Sequence, residues 1–520
     1  MEKRNLGIFL LDNRDKLLEQ VLEHIGITFI ALVLAIAVAV PVGIFIVRRR
    51  RYANPTLSFA GILQTIPSIA LLGFLLPVLG IGIRPAIFAL FLYALLPILR
   101  NTFTGISEVD SAVVEAARGM GLTNWQILRK VELPLAMPVI FAGIRTATVI
   151  SIGIATLAAY IGAGGLGEFI FEGISLNDNI RILGGAIPAA ILAIAADQLL
   201  ALLQRSPVRK IVRRSGAAAA VMLLLCSATF MPRFLTSEIK AGFDLEFQAR
   251  DDGYPALQEA YGLNFNTVTL SSELMYPAAR QGYVDIIGGY ATDGRIKAYD
   301  LLVLEDDRDA FPPYVCAPIV NAKSLQEFPQ LDSVLRKLTN TIDSRSMTNL
   351  NYQVDLKKRD PREVAAEFLD SLGLLQPDQQ QGGKELVIGG KNFTEHFILA
   401  QVFGMLIDGY TDYDVEFKTG LGGTKIAFQA LQSGEIDVYP EYTGTAFLVL
   451  LNPDANTREQ LIRDDQAVYD YVAREFSKQY GIEWLPSLGF ENAYALMCRR
   501  AMADRRGWSR ISDLPTAESN

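Results

Sequence analysis

Hydrophobic positions are distributed unevenly along this chain of 520 residues. Long apolar runs lie near 26–47, 57–79, 82–99, 137–159 and 182–203. Each is about 18–23 residues, the length a helix needs to cross roughly 30 Å of hydrocarbon. A sixth, shorter run spans Ala217 to Met231. From residue 235 onward the pattern changes to short apolar strands, Gly-containing turns and amphipathic helical stretches. LVIGGKNFTEHFILAQVFGMLI, from Leu386, reads as strand, turn and helix; the stretch from Tyr413 to Phe447 reads as strand, Gly-rich turn, helix and strand. Such alternation implies a mostly parallel sheet. The expected fold is an α-helical transmembrane domain of five core helices and a sixth anchor helix, followed by an α/β domain.

Composition supports this division. Half of the residues are hydrophobic and mean hydropathy is +0.25, unusual for a soluble chain of this length. A net charge of −8 argues against nucleic acid as a partner. Three cysteines, Cys226, Cys316 and Cys498, make neither a disulfide framework nor a zinc spacing, and whether Cys316 and Cys498 pair stays open. His24 and His396 are far apart and lie in no metal motif, so no cofactor or metal is expected.

Charge sets orientation. Arg48, Arg49, Arg50 and Arg51 follow the first run; Arg205, Arg209, Lys210, Arg213 and Arg214 follow the fifth. Basic flanks face the cytoplasm. The N-terminus is then external, residues 100–136 cytoplasmic, and everything beyond the sixth run external. That sixth run has the length of a signal-peptide core, so anchor and cleaved signal both remain open; Leu-Leu-Leu-Cys226 only faintly resembles a lipidation site. Gln64-Thr65-Ile66-Pro67-Ser68 interrupts the second run, and IGAGGLGE (161–168) reads as a bent or re-entrant stretch; either lines a pathway or serves packing. No run carries a central Asp, Glu or Lys of the kind that marks an ion relay.

The cytoplasmic loop contains EAARGMGLTNWQILRKVELP (115–134). Small residues at Ala116 and Ala117 permit close packing, Gly121 permits a turn, and Pro134 suits the start of a helix. Glu115, Ala116, Ala117, Gly121, Leu133 and Pro134 resemble the EAA loop of ABC importer permeases. The resemblance implies a short coupling helix that docks on a separate cytoplasmic ATP-binding subunit, with two permease chains per complex. No stretch of this chain fits G-x-x-x-x-G-K-[ST].

The external half resembles the substrate-binding domains of osmoprotectant importers, which take up glycine betaine, choline, carnitine and related compounds. KNFTE (391–395), LGGT (421–424), YPEYTGT (439–445) and GFENAYAL (489–496) carry the match, with Ala493 where the family often has Thr. FQARDDGYPALQEAYGL (247–263), LMYPAARQGYVDIIGGYATDGRI (274–296), LEDDRDAFPPY (304–314) and LNYQVD (350–355) match the same family, but its other half. In the family they follow the first set; here they precede it. The reading is a circularly permuted, two-lobed periplasmic-binding-protein-like domain of type II. The expected boundaries are 1–205 for the permease, 206–234 for a basic loop and sixth helix, 235–375 for the second part of the binding domain, 376–384 for a polar linker and 385–520 for its first part.

The family resemblance directs attention to quaternary ammonium ligands. These carry charge but no N–H, so aromatic faces recognise them, at about 0.5–2 kcal/mol per contact. Tyr290, Tyr314, Tyr439 and Tyr442 are the aromatic candidates; Asn392, Thr394, Thr424 and Thr445 are the polar ones. Glu441 and Asp293 read instead as structural partners of loop N–H groups. The implied function is the permease and receptor subunit of an ATP-driven importer in the inner (plasma) membrane. A membrane-tethered sensor is the alternative, disfavoured by the EAA loop. An enzyme ranks last, because no nucleophile–base pair or metal cluster emerges.

Overall fold

A computed structural model of the chain describes residues 5–204, 239–250, 252–377 and 382–516. It divides into a helical unit and an α/β unit, with boundaries near residues 173–179 and 237. The sixth apolar run, Cys226 and the basic cluster 205–214 lie outside the described residues, as does the middle of the 376–384 linker.

The helical unit begins with α1 (Leu6–Asp12) and α2 (Arg14–Arg48). Helix α2 starts well before the apolar run at 26, so its first turns are polar. Next come α3 (Ala53–Thr65) and α4 (Ser68–Leu79), which meet at a 96° bend. The bend falls at Ile66-Pro67, as the sequence predicts. Proline cannot donate to the preceding turn, and the freed Ile66 carbonyl accepts from the Tyr93 hydroxyl. Gln64 Nε2 donates to the Tyr93 carbonyl at 2.7 Å, which closes the break. Helix α5 (Ile83–Ser107) carries Tyr93 and packs against both α2 and α8 (Leu133–Ala155). Small residues allow this approach: a Cβ on Gly43 would lie 2.6 Å from Thr102, and one on Gly143 would lie 2.6 Å from Asn101.

Between α5 and α8 lie two short helices, α6 (Ser111–Gly119) and α7 (Asn124–Ile127). After α8 the glycines of IGAGGLGE turn the chain sharply, with Gly162, Gly164 and Gly165 all at positive φ, into α9 (Gly167–Ser175). Helix α10 (Asn179–Gln204) completes the unit. Among the described residues four helices are long and apolar enough to cross a membrane, or five if the bent pair counts as one span. Arg145 on α8 and Asp197 on α10 form a bidentate pair at 2.9 and 2.8 Å. Asp197 thus sits within a span as half of an ion pair.

The α/β unit has ten described strands: β1 (Lys240–Phe243), β2 (Asn266–Thr269), β3 (Ile286–Tyr290), β4 (Leu301–Val303), β5 (Cys316–Asn321), β6 (Glu385–Gly389), β7 (Asp414–Lys418), β8 (Val438–Tyr442), β9 (Ile482–Trp484) and β10 (Tyr494–Arg499). They make two five-stranded sheets, ordered β2-β1-β3-β10-β4 and β7-β6-β8-β5-β9. The pairs β1–β2, β1–β3, β6–β7 and β6–β8 are parallel, whereas β10 and β5 run antiparallel to both of their neighbours. Each sheet thus takes one interior strand from the far side of the linker. The chain passes between sheets twice, before β5 and before β10, and the two passages pair at Val315 and Glu491. Cys316 and Cys498 are free and buried, one in each sheet.

Candidate functional site

An aromatic surface lies in the α/β unit, where the two passages meet the strand ends. Tyr290 ends β3 and faces Tyr494, which begins β10 in direct register. Tyr442 ends β8, Tyr314 precedes β5, and Phe393 precedes the helix Thr394–Tyr410. Their rings form a continuous series: Tyr314–Tyr494 at 5.5 Å, Tyr494–Tyr290 at 5.4 Å, Tyr290–Phe393 at 5.7 Å and Phe393–Tyr442 at 6.3 Å. These rings line a pocket with about 330 Å³ of empty space, part of it open to solvent, together with Glu246, Arg250, Lys391, Thr424, Thr445 and Asn492.

The polar groups are largely committed to each other. Arg250 binds Asp252 through two nitrogens, at 2.8 and 2.5 Å, and reaches Glu246 at 3.0 Å and the Thr445 hydroxyl at 3.2 Å. Lys391 Nζ lies 2.5 Å from Glu441 and 5.3 Å from the Tyr442 ring centre. The Thr424 backbone N–H donates to Glu246, while its buried hydroxyl has no protein partner. That hydroxyl is free to meet a solute's oxygen. Burial raises the hydroxyl pKa values of Tyr290, Tyr314 and Tyr442 well above the usual range, so all three remain neutral phenols.

A second cavity of about 470 Å³ shares Tyr290, Phe393 and Asn492. Its floor is Glu395, a buried carboxylate that accepts from Tyr442 at 2.5 Å, Thr292 at 2.7 Å, Asn351 at 3.1 Å and Asn492 at 3.1 Å. Thr292 and Asn492 flank strands of the first sheet, and Tyr442 ends a strand of the second, so one side chain ties both lobes. Burial raises the Glu395 pKa, and the four donors oppose that rise.

Of the residues singled out in the sequence, Tyr290, Tyr314, Tyr442, Thr424 and Thr445 come together on the first cavity. Tyr439 does not. Alternation along β8 sends it to the opposite face from Pro440, into the hydrophobic core, where its hydroxyl donates to Glu441 at 2.9 Å. Asn392 is exposed and outside both cavities, its N–H bonded to the Gly422 carbonyl. Thr394 lines the second cavity and donates to Asp355 at 2.6 Å. Asp293 accepts from the Arg295 N–H and guanidinium, whereas Glu441 lies in β8 and, besides the Tyr442 N–H of the same strand, binds Lys391 and the Tyr439 hydroxyl. Arg250, Glu246, Lys391, Phe393, Asn492 and Tyr494 also line the cavity. All but Glu246 sit inside the motifs quoted above, where no local pattern distinguishes them from their neighbours. His396 is buried with its Nδ1 accepting from the Lys391 N–H. Among the described residues no group of His, Cys, Asp and Glu is arranged to hold a metal.

In the helical unit, Glu115 and Ala116 are exposed on α6 while Ala117 is buried. Asp110 caps this helix through the Ala112 N–H at 2.8 Å. Gly121, at φ +79°, turns the chain, and Thr123 with Gln126 forms a capping box on α7. Leu133 and Pro134 open α8. Arg48, at the end of α2, pairs with Glu132 just before α8 and so fixes the base of the loop. Val113, Met120 and Trp125 are exposed around it.

A helical membrane unit with an exposed short helix between α5 and α8, joined to a two-sheet domain with an aromatic cavity, defines the class: a transport permease carrying its own solute receptor. Comparison with known proteins agrees. Residues 233–371 and 384–520 match the substrate-binding domain of ABC-type glycine betaine transport systems, and residues 29–213 match the binding-protein-dependent transport system inner membrane component. The chain belongs to the family of ABC-type transport proteins that these two domains define, with permease and binding domain fused. It is 50% identical over 197 residues to the glycine betaine/carnitine/choline transport system permease protein OpuCB of Bacillus subtilis, covering 38% of this chain and 91% of that protein. It is 47% identical over 201 residues to the osmoprotectant import permease protein OsmW of Salmonella typhimurium, covering 38% and 94%. A solved structure of a glycine betaine/carnitine/choline ABC transporter is 36% identical, covers 26% of this chain and 50% of its own, and has a TM-score of 0.22.

Asp244, next to this cavity, gives a test of the local electrostatics. Burial pushes its carboxyl from the ordinary 3.8 up to about 6, against the Phe247 N–H that favours ionisation. A raised carboxyl pKa means that ionisation disfavours the folded chain. The penalty is absent below the unfolded value, grows as pH rises and is complete above about 6, amounting to about 3 kcal/mol. Asp244→Asn is therefore expected to be more stable than the parent at pH 7.5, with the gap shrinking as pH falls towards 4. Thermal unfolding across that range measures it, and a gap independent of pH would contradict the assignment.

Proposed function

We propose that this chain is the membrane-spanning and solute-capturing subunit of an ATP-driven importer for small quaternary-ammonium compounds such as glycine betaine, choline or carnitine. The observation that carries the reading is the unbroken series of five rings around one cavity, backed by carboxylates that outnumber its two cations. Ring faces attract an ammonium that offers no N–H. The free Thr424 hydroxyl, with Arg250 and Lys391, suits a carboxylate or hydroxyl at the other end of such a molecule. The relatives are named as permeases for glycine betaine, carnitine and choline and for osmoprotectants. Loss of a ring is expected to be costly: Tyr290→Ala should weaken binding of a trimethylammonium ligand at least tenfold by calorimetry, about 1.4 kcal/mol or more.

ATP hydrolysis belongs to a separate cytoplasmic subunit docked on α6, and two copies of this chain form the bilayer-embedded pathway. The exposed Glu115 and Ala116 and the apolar Val113, Met120 and Trp125 around them support the docking. The basic clusters support a plasma-membrane orientation with the receptor outside. Deleting Glu115 to Ala117 should abolish ATP-dependent uptake in reconstituted vesicles while leaving solute binding intact; uptake that survives would favour a different coupling surface.

The receptor is circularly permuted relative to its family. Support comes from the two matched segments, which meet at residues 371–384, and from the interior strand that each sheet receives from the other segment. The linker then joins what are chain ends elsewhere in the family. A chain rebuilt with 382–516 ahead of 239–377 should bind the same solutes with affinity within about threefold. Failure of the rebuilt order to fold, with the parent intact, would argue that the present order is not a rearrangement of a common domain.

A further inference from the structure

Three tyrosines of the aromatic cavity share an arrangement that ligand contact alone does not require. Tyr290 donates its hydroxyl to Asp244 at 3.3 Å, Tyr314 to Asp252 at 2.7 Å and Tyr442 to Glu395 at 2.5 Å. The carboxylates come from separate places: the end of β1, the turn before the helix Tyr254–Tyr261, and the first turn of the helix Thr394–Tyr410. All three are buried, at 5%, 1% and 2% exposure, and none of them lines the cavity of the rings.

A buried phenol needs one acceptor, and a backbone carbonyl, amide oxygen or water would serve. A buried carboxylate is a more expensive choice because it must be desolvated. Its repeated use behind rings that face one cavity therefore calls for an electrostatic reason. A phenol that donates to a carboxylate is polarised towards phenolate, which makes its ring face more negative, and the charge itself lies behind the ring, although behind Tyr314 the Asp252 charge is paired with Arg250, so polarisation is the main effect there. Both effects favour a cation in front of the ring. The protein's own cations already lie over two of the rings, Arg250 at 5.4 Å over Tyr494 and Lys391 at 5.3 Å over Tyr442, so the site's aromatic faces do attract positive charge.

We infer that Asp244, Asp252 and Glu395 are positioning residues that act through Tyr290, Tyr314 and Tyr442 to make the cavity select a cation over a neutral molecule of the same shape. The inference rests on the quaternary-ammonium reading and adds to it a source of charge selectivity that never touches the solute. Burial raises the Asp244 pKa only to about 6, so this carboxylate is ionised at neutral pH.

The test uses the full chain in lipid nanodiscs at pH 7.5 and pairs of isosteres. Choline is compared with 3,3-dimethylbutanol, and glycine betaine with 3,3-dimethylbutanoate, each pair differing by nitrogen against carbon. Asp244→Asn retains an oxygen for Tyr290 and for the Phe247 N–H and removes only charge. It is expected to weaken choline about fivefold or more and its neutral isostere less than about twofold, and to weaken zwitterionic glycine betaine while its anionic isostere, relieved of a nearby negative charge, binds no more weakly. Glu395→Gln gives a second reading, with tertiary structure checked by near-ultraviolet circular dichroism; Asp244→Asn decides the matter if that variant does not fold. Equal losses for both members of a pair, or no loss for either, would leave these carboxylates with a structural role only and overturn the inference. A parent chain that binds the carbon isosteres as tightly as the cations would overturn the quaternary-ammonium reading itself, and the inference with it.

Discussion

The binding domain depends on an exchange of two strands. Strand β10 lies between β3 and β4, and β5 lies between β8 and β9. Removing either opens two rows of ladder bonds inside a core, and each buried group left without a partner costs about 1–3 kcal/mol. Neither segment can therefore complete a sheet alone. The exchange also fixes where the cavity is. Tyr314 and Asn492 sit on the two passages between sheets, Tyr494 begins the exchanged strand, and Tyr290 and Tyr442 end the strands beside them. Topology thus gathers side chains that are more than two hundred residues apart in sequence.

What the topology gathers is chemically unusual. Five rings, two cations and several carboxylates share a small volume, and most of the charged groups are buried. Such groups are tolerated because each is paired or multiply bonded. Arg250 is held by three acceptors, and Glu395 accepts four donors. The arrangement trades stability for function: Asp244 ionises against its burial, yet that ionised form is the one that favours a cation nearby.

Much of this was legible in the sequence. Run lengths gave the spans, and Pro67 gave the bend because a missing N–H has a local consequence. Gly121 gave the turn between α6 and α7. The pairing of segments across the linker followed from the order of motifs. Other features are set by tertiary context. Pro318 and Pro440 lie directly opposite each other in interior strands, where local rules expect a strand to stop. Tyr439 and Tyr442 look equivalent in YPEYTGT, but strand alternation and the position of the core send one inward and the other to the cavity. Arg250 and Lys391 are visible only as charged residues near motifs until folding brings them beside the rings. Arg145 and Asp197 are separated by a loop and a helix, so no local pattern marks them as a pair.

The paired passages between the sheets carry a mechanical consequence. Val315 and Glu491 form a bridge, with Cys316 N–H donating to Phe490 at 3.0 Å and Asn492 N–H to Tyr314 at 3.1 Å. Two strands joined side by side make a narrow ribbon. A ribbon bends readily across its face, resists shear between its edges, and twists only by straining the bonds that join them. Lobes connected in this way swing along essentially one coordinate. Solutes of different length that reach the rings would therefore drive the same motion, differing in how far along it they stop.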